Sequence, residues 1–361
     1  MSGPLRGLKV LELAGIGPGP FCAMFLADLG ADVVRVDRPG GGTVAVEPRF
    51  DLLNRGKRSI ALDLKRGGDV ETALRLVDRA DALIEGYRPG VAERLGLGPE
   101  VCLERNPRLV YGRMTGWGQE GPRAHTAGHD ITYIGLAGAL HAIGSVPLNL
   151  IGDFGGGAMY LAAGILAALW EARSTRAGQV VDASIVDGSA HLMTLQWSML
   201  AGGTWRDEPG VNLLDGGAPF YRVYETADGR HMAVGPLEPQ FFAELLARLG
   251  LSEQEGYSYL DRDRWPHLAS LLADKFKQHT QQEWTEVFDG SDACVAPVLS
   301  MHQAAEDPHL VARHTFVTHE GVTQPAPAPR FSRTPTALGR PPAPPGQHTT
   351  EILADWLGQN G

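Results

Sequence analysis

The sequence predicts an α/β fold: a large Rossmann-like open-sheet domain plus a smaller α+β domain. Three observations carry this. Short apolar strands alternate with helical patterns from the N-terminus to about residue 120, the βαβ rhythm of a parallel sheet. After Gly210 the texture changes to a hairpin followed by helices. The stretch from Thr323 to Gln347 is too rich in proline to be one regular element.

The first strand reads Leu8 to Ala14, and the turn Gly15-Ile16-Gly17-Pro18-Gly19-Pro20 follows it. Proline suits the first turn of the next helix, Phe21 to Leu29. Further strands are expected at Ala31 to Val36, Ser59 to Leu64, Ala82 to Glu85 and Leu109 to Met114. Helical patterns lie at Asp69 to Asp78 and Pro99 to Arg105. A buried helix is expected from Gly157 to Arg173, a strand from Val180 to Val186 and an apolar helix from Ser189 to Leu200. Tyr221 to Glu225 and His231 to Gly235 flank Ala227-Asp228-Gly229 as a hairpin. Helices follow near Pro239 to Leu249 and Trp265 to His279, and Thr350 to Leu357 forms a last helix docking on the large domain. The expected division is 1–205 for the large domain, 206–310 for the small domain with its linkers, and 311–361 for a C-terminal segment returning to the large domain.

Composition narrows the function. Of 361 residues, 43% are hydrophobic and 20% charged, enough to build a packed core. A net charge of -10 disfavours nucleic acid and anionic membranes as partners, but leaves room for a small anion held by local arginines. Cys22, Cys102 and Cys294 lie far apart without a CxxC pair, so reduced core cysteines are expected rather than disulfides or zinc. Met1 to Leu8 lacks the apolar core of a signal peptide, and the run Ala158 to Trp170 is short for a membrane span. The chain ends without a peroxisomal tripeptide, and the expected location is the cytoplasm.

The glycine turn superficially matches a dinucleotide fingerprint, with Asp37 ending the next strand. Its spacing is GxGxG and Pro20 holds the usual third glycine position, so a tight strand-to-helix turn is the simpler reading. No NAD is expected. Chemistry concentrates in Ala127-Gly128-His129-Asp130, Gly152-Asp153-Phe154-Gly155-Gly156-Gly157 and Gly235-Pro236-Leu237-Glu238-Pro239. Asp153 precedes three glycines at the expected start of an apolar helix, where amides and the positive helix end favour developing negative charge. Taken alone, His129 could be a structural histidine, Asp153 a helix cap and Glu238 a favourable first-turn charge.

Several motifs occur in a specific order: Glu12-Leu13-Ala14-Gly15-Ile16-Gly17-Pro18-Gly19-Pro20, Glu85-Gly86-Tyr87-Arg88-Pro89-Gly90, Arg113-Met114-Thr115-Gly116-Trp117-Gly118, Gly128-His129-Asp130 and Gly152-Asp153-Phe154. Together they resemble the α-methylacyl-CoA racemases of the family III CoA-transferase superfamily. The likeness extends to Asp215-Gly216-Gly217-Ala218-Pro219 and Asp292-Ala293-Cys294-Val295. It implies a large domain built from both chain ends and an interlocked homodimer. It also implies that His129 and Asp153 flank the substrate α-carbon, that Glu238 orients the histidine, and that Asp130 matches the nucleophile of related transferases.

The implied activity interconverts (R)- and (S)-2-methylacyl-CoA by moving a proton at the α-carbon through an enolate. Two bases on opposite faces suit that task, because one removes the proton while the other supplies one. Imidazole titrates near neutrality, whereas Asp153 would need a raised pKa, which a desolvated pocket provides. The glycine amides after Asp153, with Gly152 and Gly155 bounding the acid, are the expected holders of the enolate oxygen. Arg38 and Arg88 resemble the family's nucleotide-binding arginines, with Lys57 or Arg58 assisting and Tyr87 and Ile16 alongside. Met193 and Met199 offer an adaptable surface for a branched acyl chain, though each also fits plain helix packing. The substrate carries the coenzyme, so no separate cofactor and no metal is expected. The alternatives are a CoA transferase using Asp130 and a noncatalytic acyl-CoA-binding protein, with an NAD dehydrogenase more distant.

Overall fold

The computed structural model describes residues 2–41, 46–252, 255–256 and 258–358. Two compact units result: 1–139, 147–193 and 311–361 in the first, 140–146 and 194–310 in the second. The division near the middle of the chain falls at 193/194 rather than 205/206, because the helix Thr194–Ala201 groups with the second unit.

The first unit is a six-stranded sheet in the order β3-β2-β1-β4-β5-β6. These strands are β1 (Lys9–Leu13), β2 (Asp32–Asp37), β3 (Arg58–Ala61), β4 (Ala82–Glu85), β5 (Val110–Thr115) and β6 (Val180–Ser184). All pair in parallel, with Val10 opposite both Val33 and Ala82, and Tyr111 opposite Val180. Alternation along each strand sends neighbours to opposite faces. Val10, Val33, Ala82 and Val110 pack with Cys22 and Leu26 of the helix Pro18–Asp28 and with Leu161 and Ile165 of the helix Tyr160–Thr175. Leu11, Val34, Leu83 and Tyr111 pack with Leu76 of the helix Gly67–Val77 and with Ile352 and Trp356 of the last helix, Thr349–Leu357. Burial on both faces explains why these strands read as continuous apolar runs.

Three features depart from the sequence reading. Residues Leu150–Met159 form a π-helix that runs directly into Tyr160–Thr175, so Asp153 lies inside a helix and not ahead of one. The combined Leu150–Thr175 helix, at 26 residues, is long and apolar enough to cross a membrane by length and composition. Its buried positions, Leu161, Ala162, Ile165 and Ala168, pack against the sheet. The apolar stretch after Ser184 breaks at Met193 into two helices, Ile185–Leu192 and Thr194–Ala201. Cys22 and Cys102 are buried, but Cys294 is exposed at a φ of 52° in a loop.

The second unit holds a three-stranded antiparallel sheet of β7 (Arg222–Glu225), β8 (His231–Val234) and β9 (Val295–Pro297), with β8 central. Helices Pro239–Arg248, Trp265–Phe276 and Gln281–Phe288 cover it through Phe242, Leu272, Phe276 and Trp284. A further hairpin, β10 (Phe316–His319) with β11 (Val322–Pro325), belongs to the first unit. Its two turn residues, Glu320 and Gly321, have φ of 49° and 76°, the conformation of a type I′ turn.

Candidate active site

The strand order reverses between β1 and β4: the chain leaves β1 towards β2 and β3, then crosses back to β4. In open α/β sheets such a switch leaves a crevice beyond the carboxyl ends of the strands. A cleft of about 270 Å³ occupies that place here. Leu13, Ile84 and Met114, from the ends of β1, β4 and β5, reach its floor, and the glycine turn, Arg88, Trp117, His129 and Asp153 line it.

Each element presents its residue for an identifiable reason. Gly17 has a φ of 74°, a conformation that favours glycine, and its Cβ position lies in ordinary contact, 3.5 Å, with Asp153 Oδ2, so the turn abuts the acid. His129 is the N-cap of the helix Asp130–Leu136. The Thr132 hydroxyl accepts from the His129 N–H at 3.1 Å and donates to its carbonyl at 2.7 Å, fixing the backbone and leaving the imidazole exposed in the cleft. The Tyr133 ring packs edge-on to Trp117 with centroids 4.7 Å apart, and a side chain at Gly116 or Gly128 would collide with it.

Asp130 points away from solvent, with 9% exposure, and its Oδ1 accepts the Asp153 N–H at 2.7 Å. A Cβ at Gly152 would collide with the same carboxylate, so that glycine permits the contact. Asn149 Nδ2 donates to Asp153 Oδ2 at 3.0 Å. Burial pushes the Asp153 carboxyl above its ordinary value; the Asn149 hydrogen bond opposes the rise, the Asp130 charge adds to it and His129 opposes it. Among the site groups sought in the sequence, Asn149 was missed. Its signal was the four-residue spacing to Asp153, which places both on one helical face once a helix is known to start before Asp153.

The structure brings together His129, Asp153, Ile16, Tyr87 and Arg88 in the cleft lining. Ile16 is 70% exposed, and Arg88 is exposed with no ion-pair partner among the described residues. Arg38 is exposed outside the lining, its charge felt by the Tyr87 hydroxyl. Gly152 and Gly155 sit in the π-helix outside the lining. This corrects the expected enolate donors: helical bonding uses the amides that follow Asp153, and Asp130 uses the amide of Asp153 itself. Glu238 lies in the second unit, as the N-cap of the helix Pro239–Arg248.

Lys57 and Arg58 are a second correction. Lys57 is 1% exposed; its Nζ pairs with Glu12 at 2.7 Å and donates to Pro20 O and Asn54 Oδ1, each at 3.0 Å. Arg58 is held by Asp32 at 2.6 Å, Asp355 at 2.7 Å and Glu351 at 3.2 Å. Neither lines the cleft, because each is already neutralised inside the fold. Asp37 is likewise engaged, by Arg35 Nε at 2.7 Å and Ser59 Oγ at 2.6 Å, and is buried away from any ribose.

Comparison with known proteins agrees with this geometry. Residues 5–349 match the sequence model of CoA-transferase family III. The chain is 47% identical to the mouse alpha-methylacyl-CoA racemase and 46% identical to the human one, in each case over 98% of this chain and 93% of the relative. It is 30% identical to human succinyl-CoA:glutarate CoA-transferase, over 98% of this chain and 86% of that protein. A CAIB/BAIF family protein from Brucella suis superimposes with a TM-score of 0.84 at 27% identity, covering 99% of this chain and 100% of that one. The chain belongs to CoA-transferase family III.

Proposed function

We propose that this protein is an isomerase, a racemase of 2-methylacyl-CoA thioesters that works by 1,1-proton transfer. One observation carries the reading: an exposed imidazole and a carboxylate with a raised pKa line the same cleft, while Asp130 is turned inward on the Asp153 backbone. His129 takes the α-proton of one enantiomer, and protonated Asp153 supplies a proton to the other face; the roles reverse for the opposite enantiomer. The raised Asp153 pKa favours its acid role.

Arg88 and Arg38 meet the phosphates of the CoA portion, with Tyr87 and Ile16 against it. No metal and no NAD takes part. The protein acts as a homodimer with interlocked subunits, in the cytoplasm, on branched acyl chains of lipid metabolism. Exposed apolar side chains such as Leu148, Trp170 and Trp197, at 74%, 75% and 62%, support the dimer as surface that a partner would cover. In heavy water, a single enantiomer should gain deuterium at its α-carbon and racemise without any acceptor acid. CoA transfer to added succinate with an untouched α-carbon, together with an inactive Asp130→Asn variant, would instead establish a transferase.

A further inference from the structure

We infer that Glu85 and Arg113 form a buried clamp that sets the Gly86–Gly90 loop, making both positioning residues for the contact of Arg88 with the thioester. This rests on the proposal that Arg88 meets the CoA phosphates. Glu85 ends β4 and is 0% exposed. It stands opposite Arg113 of β5 in the parallel register. Its Oε1 accepts from Arg113 Nε at 2.8 Å, and its Oε2 accepts the Tyr87 N–H at 2.7 Å. The same guanidinium reaches forward through Nη1 to Glu93 at 2.9 Å, in the short helix Val91–Arg94. One arginine therefore ties the residue before the loop to the helix after it. Between these anchors, Gly90 adopts a φ of 78° and the Val91 N–H closes on Arg88 O at 3.1 Å.

The consequence falls on two side chains. Tyr87 and Arg88 line the cleft, and Arg88 has no ion-pair partner among the described residues. Its direction is set by the backbone that carries it. A buried ion pair gives little net stability compared with apolar residues of the same volume. What such residues could not supply is an acceptor for the Tyr87 amide at a fixed place. The Glu85 carboxylate supplies one oxygen to the guanidinium and one to the loop, and both are needed.

Glu85→Gln tests this, because an amide has one acceptor for two donors and must turn its NH₂ against either Tyr87 N–H or Arg113 Nε–H. The KM for a 2-methylacyl-CoA should rise about tenfold while kcat stays within about twofold. In Glu85→Gln/Arg113→Met the glutamine oxygen is free to face Tyr87 while the Arg113 tie to Glu93 is lost, so KM should fall part of the way back, to about three- to fivefold above wild type. Glu85→Met/Arg113→Met has no acceptor and should keep the raised KM; this pair of neutral variants decides the matter if the single variant does not fold. The clamp acts through Arg88, so adding Glu85→Gln to Arg88→Ala should raise KM by less than about twofold more. A normal KM in folded Glu85→Gln or in the double methionine variant overturns the clamp, as does full multiplication of the Glu85→Gln and Arg88→Ala effects. A normal KM in Arg88→Ala overturns the assignment of Arg88 and the clamp with it, whereas a raised KM there beside a normal one in Glu85→Gln removes the clamp alone.

Discussion

Charged side chains of the first unit fall into two regions with opposite designs. Facing the cleft, His129 and Arg88 are exposed and Arg88 has no ion-pair partner among the described residues. Beneath the cleft and along β2 and β3, charge is paired: Lys57 with Glu12 at 2.7 Å, Arg58 with Asp32 at 2.6 Å, Arg35 with Asp37 at 2.7 Å and Arg55 with Asp28 at 2.6 Å. Residue type does not separate the regions, since arginine serves in both. The difference is whether the fold itself supplies the counterion. A cation already neutralised holds strands and helices together, and one left without a counterion can receive an anionic ligand. Changes in the first region should therefore remove activity from a folded protein, and changes in the second should remove stability.

The largest effect is expected at the acid-base pair. His129→Ala and Asp153→Ala should each slow racemisation by about 10²–10⁴-fold, the usual worth of a positioned proton-transfer group. Chiral analysis of product, beside an unchanged thermal midpoint, is the measurement. Near-normal turnover by either folded variant would break the two-base assignment.

Next come the buried pairs. Lys57→Met leaves Glu12 in the interior without its counterion, which should cost about 3–5 kcal/mol in urea unfolding. Adding Glu12→Leu should recover most of the loss, because the uncompensated charge is then gone. Arg58→Ala should cost less, since Asp355 and Glu351 on its outer side remain in contact with water. A raised KM for the thioester with unaltered stability in either variant would place that residue back at the substrate.

These partner sets explain what could be read from the sequence and what could not. The six parallel strands were legible because their apolar runs and the glycine turn are local signals, as was the antiparallel pair of β7 and β8 around Asp228-Gly229. The roles of Lys57 and Arg58 were not, because Glu12, Asp32 and Asp355 reach them only through strand register and the return of the last helix. The hairpin at Glu320-Gly321 carried a readable two-residue turn that was passed over beside the proline-rich stretch. The π-helix had no such signal: i→i+5 bonding is rare in helices, and three glycines resemble a loop. The error touched the expected enolate donors alone, while His129 and Asp153 themselves both line the cleft.

Smaller effects separate binding from chemistry inside the cleft. Arg88→Ala should raise KM for CoA thioesters by about 10- to 100-fold, the range of a charge-assisted hydrogen bond, with kcat little changed. Arg38→Ala should do less, being outside the lining. A collapsed kcat at constant KM would move Arg88 from binding into the reaction.

The smallest effect is a shift in pH dependence at Asn149. Burial raises the Asp153 carboxyl above its ordinary value, and the 3.0 Å hydrogen bond from Asn149 opposes that rise by favouring the charged form. When Asp153 acts as base it must be ionised, so activity in that direction should fall as the medium is acidified through the Asp153 pKa. The acid limb should therefore lie above the position an ordinary aspartate would give it. Asn149→Ala removes the opposing bond, so the Asp153 pKa rises further and the limb moves to higher pH, with a modest loss at neutrality. In the opposite direction Asp153 acts as acid, and a higher pKa keeps it protonated over a wider range. Because the equilibrium between enantiomers is unchanged, kcat/KM must move by the same factor in both directions, and an unequal response is confined to kcat and KM taken separately. A limb that stays in place, or moves to lower pH, would show that Asn149 does not act on the Asp153 charge, and the cleft carboxylate would then owe its state to burial and its charged neighbours alone.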